Sequence, residues 1–276
     1  MNDEVKALLH EAHFDNLPFG PWLLEYPEQG EPIAILRVSV DERIEVNRAR
    51  ESLRAELKRL REDFKRRLEP IGSQTKESDD WNACDDLAEQ GNHRVNGTVL
   101  RQYIIEFVKI ASKHEQAYVN LRDAAEGIDD LCLIDCTYLE VAGDVEIGVV
   151  GESRTPNFPD TQLFGLTLDM SYTNFRDNVG FYGCGRASGP QGGNDLIQII
   201  KAINLAGTKI DGALVAKALN IQALIASRLT VAGRTYITHS LIGELDAEEA
   251  VFGGSAWLRA ITINRASFQK ATFELP

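Results

Sequence analysis

The chain has 276 residues, of which 43% are hydrophobic and 26% charged, and its formal net charge is -13. This is the composition of a globular chain able to bury a sizeable core in one large or two small domains. The acidic surplus opposes direct binding to nucleic-acid phosphates, four cysteines are too few for a secreted disulfide framework of this length, and no apolar run reaches the ~18 residues of a membrane span.

In chain order, Met1 to Phe14 reads as a short amphipathic helix, with Val5, Leu8, Leu9 and Ala12 on one face and Pro18, Gly20 and Pro21 as its stop. Its acidic residues stand where a signal peptide would be basic and then apolar, so a cytoplasmic location is expected. Trp22 to Tyr26 and Ile33 to Val38 are two apolar stretches joined by a Pro- and Gly-containing turn, the pattern of a β-hairpin.

Ser39 and Glu42 have capping-box spacing, and a helix is expected over 39–69, with Val46, Leu53, Leu57, Leu60, Phe64 and Leu68 forming its apolar seam. A polar linker follows over 73–96. A second long helix is expected over 98–126, where Leu100, Ile104, Phe107, Ala111, His114, Tyr118 and Leu121 alternate by four and three. Two seams of similar length point to an antiparallel, coiled-coil-like helical hairpin, with pairing between subunits as the alternative. Residues 1–130 carry 27 acidic and 18 basic side chains, against 15 and 11 in residues 131–276, so the acidity lies mainly in the helical part.

After Asp130 the texture changes to short apolar alternations with frequent Gly, which places a domain boundary between 1–130 and 131–276. The residues of 256–275 divide into fives: Ala256 to Ala260, Ile261 to Arg265, Ala266 to Lys270 and Ala271 to Leu275. Each has a large apolar residue at its centre, and upstream Leu214, Leu219, Leu224 and Leu229 keep the same step. A step of five fits neither a strand's alternation nor a helix's 3.6 period. It fits a chain that turns a corner every five residues and sends one large side chain inward per face, four faces making a coil of about twenty residues. The spacing slips over Val231 to Glu249. A Gly-rich segment at 183–193 is expected to be a loop that interrupts the coils, followed by a short helix through Leu196 and Ile200.

These fives resemble the pentapeptide-repeat family, specifically over 256–275 and fairly over 203–229. The resemblance implies a right-handed parallel β-helix, a mainly β solenoid that presents flat faces to partners and usually lacks catalysis. A sandwich of short strands is the alternative fold.

The residues carry no chemical motif of the expected spacing. The Gly183–Gly193 segment lacks both the third glycine of a dinucleotide loop and a Gly-Lys-Ser/Thr. His10 and His13 are too few for a metal, and Cys132 and Cys136 lack a second pair, so no metal or cofactor is expected. His239 near Ser240 and Asp246 lacks a nucleophile elbow. The dense acidic patch of Glu244, Asp246, Glu248 and Glu249 is the candidate partner-binding surface, although a solvated face would look the same.

The reading that follows is a non-enzymatic interaction or scaffolding module, with a protein partner or a homo-oligomer formed through the helices or the open solenoid end after Leu275. The alternatives are a nucleic-acid mimic acting on a type II topoisomerase, as the resemblance would allow, and a β-helix enzyme acting on carbohydrate.

Overall fold

The computed structural model describes residues 22–25, 33–36, 40–71, 93–118, 129–148, 165–184 and 200–274. The expected helix at Met1 to Phe14, most of the linker, and the greater part of the Gly-rich loop with its following helix lie outside them. Most of what is described is parallel strand in stacked sheets, with two long helices.

Strands β1 (Trp22–Glu25) and β2 (Ile33–Leu36) pair antiparallel, with Trp22 opposite Leu36 and Glu25 opposite Ile33. Helix α1 spans Val40–Arg66. After it, β3 (Glu69–Pro70) pairs antiparallel with β4 (His93–Asn96). Helix α2 (Gly97–Lys113) starts directly from β4, and the Asn96 side chain accepts from the Thr98 amide at 2.8 Å as its cap. A Cβ at Gly97 would lie 2.7 Å from the carbonyls of Gly143 and Asp144, so only glycine lets the helix start press this closely on the strands. The helix expected to continue to 126 ends at Lys113 and gives way to a 3-10 turn, Glu115–Tyr118. This turn docks: Ala117 and Tyr118 are buried, and the Tyr118 hydroxyl donates to the Leu131 carbonyl at 3.1 Å. The two helices pack within one chain through Leu53, Leu57, Leu100, Ile104 and Phe107, all at most 1% exposed.

Short helix α3 (Asp129–Cys132) leads into the strands. The chain then visits three parallel sheets in turn and returns to the first. The first circuit is β5 (Leu133–Asp135), β6 (Leu139–Ala142) and β7 (Val145–Ile147). The second is β8 (Leu166–Asp169), β9 (Asn174–Phe175) and β10 (Val179–Tyr182). The third is β11 (Ile200–Asn204), β12 (Lys209–Ile210) and β13 (Leu214–Lys217). The fourth is β14 (Asn220–Ile225), β15 (Thr230–Val231) and β16 (Thr235–Thr238). The fifth is β17 (Leu241–Asp246), β18 (Val251–Phe252) and β19 (Ala256–Arg259), and β20 (Thr262–Ser267) and β21 (Thr272–Phe273) complete the stack. Each strand pairs in parallel with its counterpart one circuit away, an arrangement compatible with a β-helix. Because β4 pairs in parallel with β6, the stacked strands begin at His93, ahead of the boundary expected at 130.

The circuit is 21 residues long, since Leu214, Thr235 and Ala256 are in register, as are Thr230, Val251 and Thr272. Inward side chains come in pairs two residues apart: Leu219 with Ile221, Leu224 with Ala226, Leu229 with Val231, and Thr235 with Ile237, all at most 5% exposed. Three steps between pairs are of five residues, and the one from Leu229 to Thr235 is of six. The extra residue falls at a corner built on Gly212, Gly233 and Gly254. A Cβ at Gly233 would sit 2.5 Å from the Gly212 carbonyl, and one at Gly254 would sit 2.5 Å from that of Gly233. Earlier, Val141 and Phe175 are in register 34 apart, and Phe175 and Ile210 are 35 apart. The first two circuits therefore carry 13 and 14 more residues, which fall in sequence between β7 and β8 and between β10 and β11.

The interior is a continuous ladder of apolar side chains. Val141, Phe175, Ile210 and Val231 occupy one rung position in successive circuits and are at most 1% exposed. Burying such a side chain contributes about 1.5–3 kcal/mol. At one corner, Asp135, Asp169, Asn204 and Asp246 each accept the amide two residues on, at 2.9–3.1 Å, which fixes the turn without secondary-structure partners. No helix among the described residues is long and apolar enough to cross a membrane.

Candidate functional site

The stack has two different ends. At the first circuit, α1 and α2 lie against the strands, and the side chains beneath them are sealed: Leu100 and Phe107 are 0% exposed and Ile134 is 0%. At the other end no described strand lies beyond β19, β20 and β21. The rungs there open to solvent: Leu258 is 44% exposed, Phe273 48% and Phe268 37%, with Trp257 at 56% beside them. Phe273 stacks on Phe252 at 5.0 Å, so its inner face is covered and its outer face is free.

The backbone at this end is also unpaired. In the preceding circuits the amides of Thr235, His239, Ala247 and Glu249 donate forward to Ser255, Arg259, Ser267 and Gln269 at 2.8–3.0 Å. One circuit on, the corresponding amides are those of Ala256, Ala260, Phe268 and Lys270, and among the described residues nothing lies ahead to accept from them. An edge of this kind, apolar and rich in free amides, is a template for adding further strand.

The candidate acids stand one circuit behind this end, on its outer surface. Glu244 pairs with Arg265 at 3.1 Å and Glu249 with Lys270 at 2.8 Å. Glu248 accepts from the Ser267 hydroxyl at 2.9 Å, and Asp246 accepts the Glu248 amide as part of the turn ladder. The hydrogen bond from Lys270 holds the Glu249 carboxyl below its usual value and raises Lys270 in return. Glu249 and Lys270 share a left-handed corner position, φ 57° and 56°, that Tyr138, Tyr172 and Arg228 occupy in other circuits. The four acids thus sit together, three of them bonded to the last circuit.

A second outward ladder ties the helical part to the strands. Arg94 on β4 reaches Glu140 at 2.6 Å, Arg176 joins Glu140 at 3.2 Å and Asp211 at 3.3 Å, and Lys209 meets Asp211 at 2.9 Å. Hydrogen bonds from Arg94 and Arg176 hold the Glu140 carboxyl below its ordinary value. Between the helices, Glu56 meets Lys113 at 2.8 Å and His114 Nε2 at 2.9 Å, and these bonds lower its carboxyl likewise.

Cys132, Cys136 and Cys184 are free thiols. Burial pushes Cys136 well up and Cys184 to about 12, which leaves both protonated and unreactive. Among the described residues no group of three or more His, Cys, Asp or Glu is placed to hold a metal. His239 lies at a left-handed corner, and Ser240 is buried, its hydroxyl donating to the Thr238 carbonyl at 2.9 Å and accepting the Leu219 amide at 3.0 Å. That hydroxyl is committed to structure.

The pentapeptide pattern marks Leu258, Phe268 and Phe273 as inward residues, but their exposure follows only from their place on the outermost circuit. A cavity of about 350 Å3 between α1, α2 and the first circuit has no counterpart in the sequence reading. Its residues come from α1, β4, α2, β5 and β6, and no spacing in the sequence brings them together.

A scan against family models, a search of curated proteins and a search of solved structures each found no match to this chain.

Proposed function

We propose that the chain is a non-enzymatic protein-interaction module: a right-handed β-solenoid of the pentapeptide-repeat kind that docks a protein through its last circuit. The observation that carries this reading is the bare end, where apolar rungs and unpaired amides coincide. The 21-residue register and the paired inward residues support the solenoid. The free thiols of Cys132, Cys136 and Cys184 agree with a cytoplasmic setting. The partner that fits is a protein with an apolar face and a free strand edge of its own, and a second copy of this chain meets both conditions. Two copies would meet end to end about a two-fold axis, because among the described residues α1 and α2 cover the opposite end of the strands. Glu244, Asp246, Glu248 and Glu249 would then flank the contact, and their pairing with Arg265, Lys270 and Ser267 weighs against imitation of nucleic acid.

Light scattering over a range of concentrations tests the proposal. The expected result is a mass that rises to that of a dimer, and a Leu258→Asp/Phe273→Asp variant that stays monomeric with unchanged circular dichroism. A wild-type mass equal to that of the monomer at every concentration would contradict it.

A further inference from the structure

The cavity beneath the helices is independent of the open end. Its volume of about 350 Å3 falls within the ~300–1,000 Å3 of small-molecule sites. One wall is apolar, made by Phe64, Leu68 and Leu139, with Phe64 fixed by stacking on Tyr103 at 4.1 Å and 11°. The Cys136 thiol completes that wall, and burial keeps it protonated.

The cations Arg61 and Lys65 lie on α1. Arg61 is held in place: its Nη2 donates to the Leu133 carbonyl at 3.3 Å, and its guanidinium stands 5.6 Å from the Phe107 ring centre. Lys65, one turn on, is exposed and makes no ion pair among the described residues. Asp135 is the acid of the lining, and one of its oxygens already accepts both the amide and the hydroxyl of Thr137, at 3.1 and 2.8 Å. Arg61 and Lys65 outnumber Asp135 in the lining, on a chain whose total is -13. The local field therefore favours an anion, and the wall favours an apolar body.

We propose that this cavity binds a small monocarboxylate with an apolar body, its head toward Lys65 and Arg61 and its body against Phe64, Leu68 and Leu139. A cation would meet Arg61 and Lys65 on entry.

The test is titration of the full chain with octanoate, 1-octanol and inorganic phosphate, followed by amide shifts in nitrogen-15 spectra. Octanoate is expected to give saturable shifts centred on Tyr103, Thr137 and Leu139. Octanol, which keeps the body, and phosphate, which keeps only charge, are expected to bind several-fold more weakly. Lys65→Glu should weaken octanoate several-fold, and Leu68→Trp, which fills the cavity, should abolish its binding. Thr137→Phe serves as a second filling variant should Leu68→Trp fail to fold. Phe273→Asp should bind octanoate as the wild type does, which separates this site from the open end. The proposal is overturned if octanoate gives no saturable shift, if octanol or phosphate binds as well, or if the filled cavity still binds.

Discussion

The two ends of the strand stack are made of the same kind of residue and differ in what covers them. On one rung of the third sheet, Val145, Val179, Leu214 and Thr235 are at most 2% exposed, and on the next Ile147, Phe181, Ala216 and Ile237 are at most 5%. The following member of the second series, Leu258, is 44% exposed. No feature of Leu258 itself accounts for this. At the first circuit α2 supplies the missing neighbour, and Gly97 and the Asn96 cap let it descend onto the strands. At the last circuit nothing described plays that part. A repeating architecture makes every rung equivalent except where the neighbour on one side differs, as it does at the two ends of the described strands.

The largest expected effects compare equivalent rungs. Phe175→Ala, in the middle of the second sheet's ladder, should destabilise the protein by about 3–5 kcal/mol in denaturant titration. Phe273→Ala, on the same ladder at the open end, should cost about 1 kcal/mol or less in dilute protein. Equal losses would mean that the end is covered. Gly233→Ala drives a Cβ against the Gly212 carbonyl and should cost about 1–3 kcal/mol. A neutral outcome would show that this corner can give, and that the six-residue step is not held by close approach.

The smallest effect concerns charge. The Glu140 carboxyl is held below its ordinary value of 4.5 by Arg94 and Arg176. Its contribution is full above that ordinary value and is lost as pH falls through the lowered folded value. Glu140→Gln should cost about 0.5–1 kcal/mol at neutral pH, and it should flatten the acid-side loss of stability measured by pH-dependent unfolding. An unchanged acid limb would leave the ladder between β4 and the strands without energetic weight.

The sequence disclosed the five-residue step best in the uninterrupted run between Gly254 and the last described residue, which contains no six-residue step. The expected coil of about twenty was short by one, because the extra residue at Gly212 and Gly233 falls between inward pairs and alters no apolar residue. The slip noticed over Val231 to Glu249 is that residue. Before Ile200 the step was hidden by the added residues in two circuits, which displace rungs in sequence without displacing them in space. The helix seam predicted the pairing of α1 and α2, but the stop at Lys113 depends on Ala117 and Tyr118 docking elsewhere, a tertiary effect. Of the candidate site, the acidic patch was legible as composition. Its bonding to Arg265, Ser267 and Lys270 depends on register, and register needed the length of the circuit.

The central claim is the proposed one, that a partner completes the unpaired edge of the last described circuit. Hydrogen exchange at the amides of Ala256, Ala260, Phe268 and Lys270, measured at low and high protein concentration, tests it most directly. The account predicts fast exchange when dilute and protection when concentrated, while Leu214, Ala226 and Thr235 remain slow at both. Exchange at those four amides that does not change with concentration, whether fast or slow, would contradict it.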